Sequence, residues 1–116
     1  MAAQVRDLIG NTAERYKSAT GTNDNDVVIQ SEDVSKWDTF QILTTAGATD
    51  VFVSLDGTNY ATAPISLQDQ GATTSDPVIV TAAGRVYGFR GKYAKVQVLQ
   101  NGATAVENAC LMCSNI

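Results

Sequence analysis

The sequence has 116 residues, with 12 acidic and 8 basic side chains, a formal net charge of −4 and no histidine. This length corresponds to one domain, and the missing histidine excludes Ser-His-Asp triads, Cys-His pairs and histidine-based zinc sites. The longest strongly apolar runs cover a handful of residues, far fewer than the ~20 of a membrane span, so no membrane partner is expected. Residues 1–7 also lack the basic and apolar regions of a secretory signal.

The N-terminal segment predicts a short arm. Residues 2–17 favour a helix that Gly10 interrupts, because apolar side chains recur there at helical spacing. These side chains are Val5, Leu8, Ile9, Ala13 and Tyr16. Residues 18–26 are almost entirely polar and predict a hinge that ties the arm loosely to the domain. We therefore expect an arm, helical or extended, and its hinge over 1–26, followed by the main domain over 27–116.

From residue 27 onward the pattern is typical of β-strands. Short alternating or β-branched runs predict strands at 27–30, 37–44, 50–55, 60–67, 77–81, 85–89, 92–99 and 103–113. Asp56 with Gly57, and Asn101 with Gly102, have the composition of tight hairpin turns. About eight short strands with turns at regular intervals describe an antiparallel sandwich or a small barrel. We predict an all-β fold, a jelly-roll-like antiparallel β-sandwich.

The two cysteines and the acidic hinge are the candidate metal or redox groups. Cys110 and Cys113 lie three apart in a predicted strand, so their α-carbons are about 10 Å apart, beyond disulfide reach. Free thiols indicate synthesis in a reducing cytoplasm, and we interpret both as packing residues. Asp24 and Asp26 could offer oxygen ligands to calcium, but Val27 stands where an EF-hand loop needs glycine. We expect no metal and no cofactor.

Catalytic patterns are missing as well. The acids fall in predicted turns, in the hinge or in the arm, outside the apolar setting that raises a catalytic pKa. Serine and threonine have no candidate base, and residues 84–91 lack the spacing of a phosphate-binding glycine loop. The sequence therefore predicts a protein that is not an enzyme.

A basic segment interleaved with aromatic residues follows the turn at 82–84. Its bases are Arg85, Arg90, Lys92 and Lys95. Basic and aromatic side chains on a sheet can bind single-stranded nucleic acid, but four positive charges in an acidic chain are too few for strong binding. We expect no nucleic acid partner; an electrostatic contact between subunits and simple stabilisation of the fold both remain open.

Several segments carry a family resemblance. Residues 53–60, Val-Ser-Leu-Asp-Gly-Thr-Asn-Tyr, resemble a hairpin of small β-sandwich virion proteins of tailed bacteriophages. With the segments 72–80, 84–93 and 96–102, the chain looks like a capsid decoration, or cement, protein over about residues 37–113. The resemblance implies a non-enzymatic virion protein on the capsid surface, assembled in the host cytoplasm. It also implies a homotrimer whose partner is the major capsid protein.

The candidate contact residues come from the arm and from the basic segment. They are Val5, Leu8, Ile9 and Tyr16 of the arm, and Arg85, Arg90, Lys92 and Lys95 of the basic segment. Two alternatives remain. One is a tail or fibre-associated structural protein of the same phage class. The other is a carbohydrate-binding β-sandwich module that uses Trp37, Tyr60 and Tyr87 as an aromatic platform.

Overall fold

The computed structural model describes residues 13–17, 21–71 and 76–115, and its regular secondary structure there consists of β-strands. The strands are β1 (Ala13–Lys17), β2 (Val27–Gln30), β3 (Thr39–Leu43), β4 (Thr49–Ser54), β5 (Gln68–Asp69), β6 (Tyr87–Arg90), β7 (Lys95–Gln100) and β8 (Cys110–Ser114). Within the described ranges there is no helix long and apolar enough to cross a membrane.

The strands form two antiparallel sheets. One has five strands in the order β1-β8-β3-β6-β5, and the other has three in the order β2-β7-β4. Consecutive strands of the chain repeatedly change sheet, so the sheets are connected at both ends by loops. This architecture confirms the predicted all-β sandwich of about eight short strands.

The core lies between the sheets and follows the period-two alternation of the strands. Phe40 and Ile42 of β3 and Val96 and Val98 of β7 belong to one core cluster, and all four are at most 1% exposed. Phe40 also stacks on Phe89 of β6, with ring centroids 4.9 Å apart. Burying each such side chain contributes about 1.5–3 kcal/mol, so these strands hold the two sheets together.

Residues 13–17 form a strand, so of the two states expected for the arm the extended one, and not the helix, is present over this range. β1 pairs with β8 along its whole length, from Ala13 opposite Ser114 to Lys17 opposite Cys110. A strand at the sheet edge obtains its backbone hydrogen bonds from β8, and this pairing outweighs the helical spacing of apolar residues. The remaining residues of the predicted arm, 1–12, lie outside the described residues.

The polar segment 21–26 is fixed to the domain, contrary to the loose hinge expected there. The Gly21 amide donates to the Val106 carbonyl at 2.8 Å, and the Asn25 amide donates to the Gln100 carbonyl at 2.8 Å. Backbone hydrogen bonds therefore join this segment to β7 and to the loop that follows it. The boundary proposed between residues 26 and 27 stays a prediction, although β1 belongs to the five-stranded sheet.

Two predicted hairpins have different outcomes. After β4, the turn at Gly57 returns the chain, but the predicted strand 60–67 is reduced to two isolated bridges, Tyr60 with Ser54 and Leu67 with Val78. The turn at Asn101 and Gly102 does not close a hairpin, because β7 and β8 lie in different sheets.

Candidate functional site

One face of the five-stranded sheet points away from the core. We call it the cationic face and define it by the outward positions of its strands. These are Ala13, Arg15 and Lys17 on β1; Cys110, Met112 and Ser114 on β8; Thr39, Gln41 and Leu43 on β3; Gly88 and Arg90 on β6; and Gln68 on β5. The residues between them, such as Leu111 and Phe40, are fully buried in the core.

The strand register gives this face an apolar centre. Met112 lies between Arg15 and Gln41, and Cys110 lies between Lys17 and Leu43. Met112 and Cys110 are half-buried, whereas Leu43 is 36% exposed, which is high for a leucine in a strand. Partly exposed apolar side chains beside cationic ones are typical of protein-binding surfaces.

The ionised side chains at these outward positions are all cationic, and Asp38, beside Thr39, lines a small pocket at the edge of the face together with Arg90. Arg15, Lys17 and Arg90 are these cationic side chains, and no carboxylate occupies any of the outward positions that define the face. The whole chain nevertheless has a formal net charge of −4. A local cationic surface on an acidic protein attracts an acidic partner and orients it during encounter.

Glu14 and Tyr16 are the inward-facing side chains of β1, and Glu14 is hydrogen-bonded on that side. Its Oε1 accepts a hydrogen bond from Trp37 Nε1 at 3.1 Å and from the Tyr16 hydroxyl at 3.0 Å. Trp37 is 3% exposed, and Tyr16 packs against the core. Burial, and then the hydrogen bond to Glu14, raise the pKa of Tyr16 to about 12. With Glu14 and Tyr16 held inward, Arg15 must point to solvent.

Comparison with known proteins gives a shared fold. No protein-family model and no curated protein matches the sequence. The crystal structure of the SPBc2 prophage-derived protein YomS is similar, with a TM-score of 0.64 and 6% sequence identity over 87% of this chain and 91% of that chain. The likeness to YomS shows the fold.

A second solved structure is similar only loosely. It is NovW, a 4-keto-6-deoxy sugar epimerase from the novobiocin biosynthetic gene cluster of Streptomyces spheroides, with a TM-score of 0.39 and 14% identity. The match covers 100% of this chain and 54% of that chain, so the chain spans about half the length of the epimerase. A TM-score this low supports no conclusion about the present protein.

The structure separates the basic residues singled out in the sequence. Arg90 lies on the cationic face. It lines a small surface pocket together with Lys92, whose ammonium group donates to the Ser35 carbonyl at 3.4 Å. Arg85 forms an ion pair with Asp69. Lys95 begins β7 and therefore lies in the other sheet. The basic segment thus does not form one continuous patch.

The arm residues have a different outcome. Val5, Leu8 and Ile9 lie outside the described residues, whereas Tyr16 faces inward and packs against the core. Sequence reasoning missed Arg15 and Lys17, which alternate with inward-facing residues. This period of two within residues 13–17 was the available signal.

The aromatic platform proposed for carbohydrate binding does not form. Trp37 is 3% exposed and Tyr87 is 4% exposed, so neither offers a ring face to a ligand. Tyr60 is half-buried, and its hydroxyl accepts a hydrogen bond from Gln30 Nε2 at 2.6 Å. The prediction of these three residues as a sugar platform is therefore wrong.

The expectation that every acid lies outside a setting that raises its pKa is wrong for Asp50, which is 9% exposed in β4 and whose carboxyl pKa is raised by burial. The remaining candidate groups have structural roles. Both thiols are free, and burial followed by the charge of Glu14 raises the pKa of Cys113 to about 12, so it stays a neutral thiol. Asp24 Oδ1 accepts from the Gly102 amide at 2.8 Å, and Asp26 Oδ2 accepts from the Asn23 amide at 2.9 Å. Across the described residues, no cluster of Cys, Asp or Glu side chains could hold a metal ion.

Proposed function

We propose that this chain is a non-enzymatic phage virion protein that decorates the capsid. In this proposal, the cationic face binds an acidic surface of the major capsid protein lattice. The observation that carries it is that the ionised side chains at the outward positions of this face are cationic and lie around an apolar centre, on a protein whose net charge is negative. The fold shared with a prophage-derived protein and the sequence resemblance to cement proteins support the phage setting.

The size of the surface suits a lattice partner. A single small face with a few cationic side chains provides a modest affinity on its own. A capsid presents many copies of the same surface, and a homotrimer would engage several at once. The effective concentration after the first contact then raises the overall affinity. We therefore propose a trimer on the capsid exterior.

The proposal of a non-enzymatic role has support from the ionisable groups. Cys113 is held as a neutral thiol by burial, and Asp56 accepts hydrogen bonds from the Thr58 and Asn59 amides, which lower the pKa of its carboxyl group. These groups stabilise a strand and a turn respectively. Asp50, whose carboxyl pKa is raised by burial, accepts a hydrogen bond from Asn101 Nδ2 at 3.2 Å.

The test is co-sedimentation with separated heads and tails of the phage that encodes the chain. We expect the protein to sediment with heads as a complex of three chains, each 12.3 kDa. The double variant Arg15→Glu/Lys17→Glu should lose most of this binding. The matched control, Lys36→Glu/Lys95→Glu, changes the net charge equally but outside the cationic face and should bind as the parent does.

The outcomes separate the competing functions. Sedimentation with tails alone would favour the tail or fibre-associated protein and reject decoration. Equal binding by both double variants would remove the cationic face from the mechanism. If the protein sediments with neither heads nor tails, even at concentrations high enough to saturate a capsid lattice, the virion role is rejected.

A further inference from the structure

A cleft of about 630 Å³ opens beside β5. This strand has two residues, and they pair with Tyr87 and Gly88 of β6. Phe89 and Arg90 therefore continue past the end of β5 and line the cleft, together with residues 65–67 on its far side. The volume lies within the range of about 300–1,000 Å³ that is usual for small-molecule sites.

One wall of the cleft is made of side-chain amides. Gln41 Nε2 donates to Gln70 Oε1 at 2.6 Å, and this pair spans Gly88 of the intervening strand. A Cβ at position 88 would overlap Gln70 Nε2, so the flexible amide of Gln70 occupies the space over this glycine. Gln68 lines the same cleft. Each side-chain amide has an NH2 group that donates hydrogen bonds and a carbonyl oxygen that accepts them. This wall can therefore bind ligand groups that both donate and accept hydrogen bonds.

The other wall is aromatic. Tyr93 packs against Phe89, with ring centroids 6.2 Å apart and planes inclined at 48°. The Tyr93 hydroxyl donates to the Arg90 carbonyl at 3.1 Å, which fixes the ring at the edge of the cleft. Tyr93 is half-buried and lines the cleft.

We infer that this cleft binds a neutral saccharide. A pyranose ring combines hydroxyl groups, which both donate and accept hydrogen bonds, with apolar C–H faces. The amides of Gln41 and Gln70 suit the first, and the ring of Tyr93 suits the second. Among the residues that the structure describes, no carboxylate lines the cleft and Arg90 is the one cationic side chain there.

Other ligands fit this chemistry less well. A phosphate or sulfate ligand would need several cations, and Arg90 alone supplies one. An added peptide strand would need a longer unpaired edge than Phe89 and Arg90, the part of β6 that extends beyond β5. The cleft is also separate from the aromatic platform that the sequence suggested. It shares Gln41, Gly88 and Arg90 with the β6 end of the cationic face, whereas Arg15 and Lys17 lie on β1 at the opposite edge of the sheet.

The experiment titrates the full chain with maltohexaose, cellohexaose and the hexamer of N-acetylglucosamine by calorimetry and saturation-transfer NMR. At least one of these probes should bind. The variant Gln70→Ala should weaken that binding about fivefold or more, because one hydrogen-bonding side chain is lost.

The chain supplies a matched control. Gln97 Nε2 donates to Gln30 Oε1 at 2.8 Å on the three-stranded sheet, so Gln97→Ala removes an equivalent amide pair far from the cleft. This control should bind the probe as the parent does. Near-UV circular dichroism of Gln70→Ala should match the parent, and its co-sedimentation with heads should be unchanged.

Two results would overturn the inference. One is the absence of heat and of saturation transfer with all three probes at about 10 mM, a concentration that detects even weak sites. The other is binding of the probe that Gln70→Ala and Gln97→Ala weaken equally. Displacement of the bound saccharide by an uncharged extended decapeptide that contacts residues outside the cleft would count in the same way. A failure here with intact head binding would leave the decoration function unaffected.

Discussion

At β1, the carboxylate of Glu14 adds two side-chain hydrogen bonds to the backbone pairing of this edge strand with β8. Glu14 accepts hydrogen bonds from Trp37 and Tyr16, and the indole N–H of Trp37 is buried. Glu14→Ala would leave that N–H without its acceptor, so we expect a loss of about 1–3 kcal/mol in the free energy of unfolding. Urea denaturation followed by Trp37 fluorescence measures this loss.

The matched variant is Glu14→Gln, which keeps an oxygen acceptor at the same place. It should lose less stability than Glu14→Ala. If both variants unfold at the urea concentration of the parent, the Glu14 hydrogen bonds add nothing to the attachment of β1.

The same buried group of residues predicts a loss of stability at alkaline pH. Burial raises the pKa of Cys113 from 9.0 to about 12, and burial with the Glu14 hydrogen bond raises the pKa of Tyr16 from 10.0 to about 12. Both groups are neutral when protonated, so the unfolded chain releases its protons first as the pH rises. Their contribution is complete below pH 9 and is lost between pH 9 and 12.

Thermal or urea unfolding at about pH 8, 9, 10 and 11 tests this prediction, because these pH values span the range in which the unfolded chain loses the two protons first. The variant Cys113→Ala removes one titrating group, so its stability should fall less steeply with pH than that of the parent. Its absolute stability will be lower at every pH because a buried side chain is shortened. Parallel curves for the two proteins would contradict the assignment.

At the scale of elements, the loop between β3 and β4 packs on the loop between β7 and β8 through a glycine. Gly47 has a φ of +80°, and a Cβ there would lie 2.7 Å from the Ala105 carbonyl oxygen and 2.9 Å from the Val106 Cα. Gly84 has the same φ, but a Cβ there would meet nothing within 4 Å. An alanine at position 84 therefore introduces backbone strain alone, whereas an alanine at position 47 introduces the same strain together with a steric collision.

We expect Gly84→Ala to cost about 1–2 kcal/mol, the strain of the left-handed conformation alone. Gly47→Ala should cost about 1–3 kcal/mol more, because rigid backbone atoms must also move. Urea unfolding of the two variants gives the difference directly. Equal costs would show that the two loops can separate without loss of stability.

The elements also show what the sequence could and could not predict. The fold class followed from strand alternation, which is a local property. The state of residues 13–17 depended on β8, nearly a hundred positions away, whose free edge accepts β1. The turn at Asn101 and Gly102 has hairpin chemistry, but the sheet that each flanking strand joins is decided by packing and not by the turn.

The candidate surface was predictable only in part for the same reason. Arg90 was singled out because it lies in a basic segment, and it does lie on the cationic face. Arg15 and Lys17 lie far from it in sequence and reach this face through the pairing of β1 with β8. Lys95 lies near Arg90 in sequence, yet it belongs to the opposite sheet. Sequence proximity therefore did not identify the charges that share a surface.

At the scale of the whole molecule, net charge and local charge have opposite signs. The chain carries a formal charge of −4, whereas the cationic face presents Arg15, Lys17 and Arg90. Toward an acidic partner, the net charge repels at long range and the face attracts at contact. Salt screens both effects, with a Debye length of about 10 Å at 0.1 M. The attraction at contact dominates the affinity of the bound state because its charges are closest.

This balance predicts the sign of the salt dependence of binding to heads. For the parent, affinity should fall as NaCl is raised, because the attraction at the cationic face is screened. In Arg15→Glu/Lys17→Glu, repulsion remains, so its weak binding should rise with NaCl. Lys36→Glu/Lys95→Glu has the same net charge as that variant but an intact face, and it should keep the falling dependence of the parent. Salt dependences that follow net charge, with the two double variants alike, would mean that the whole molecule and not this face governs recognition.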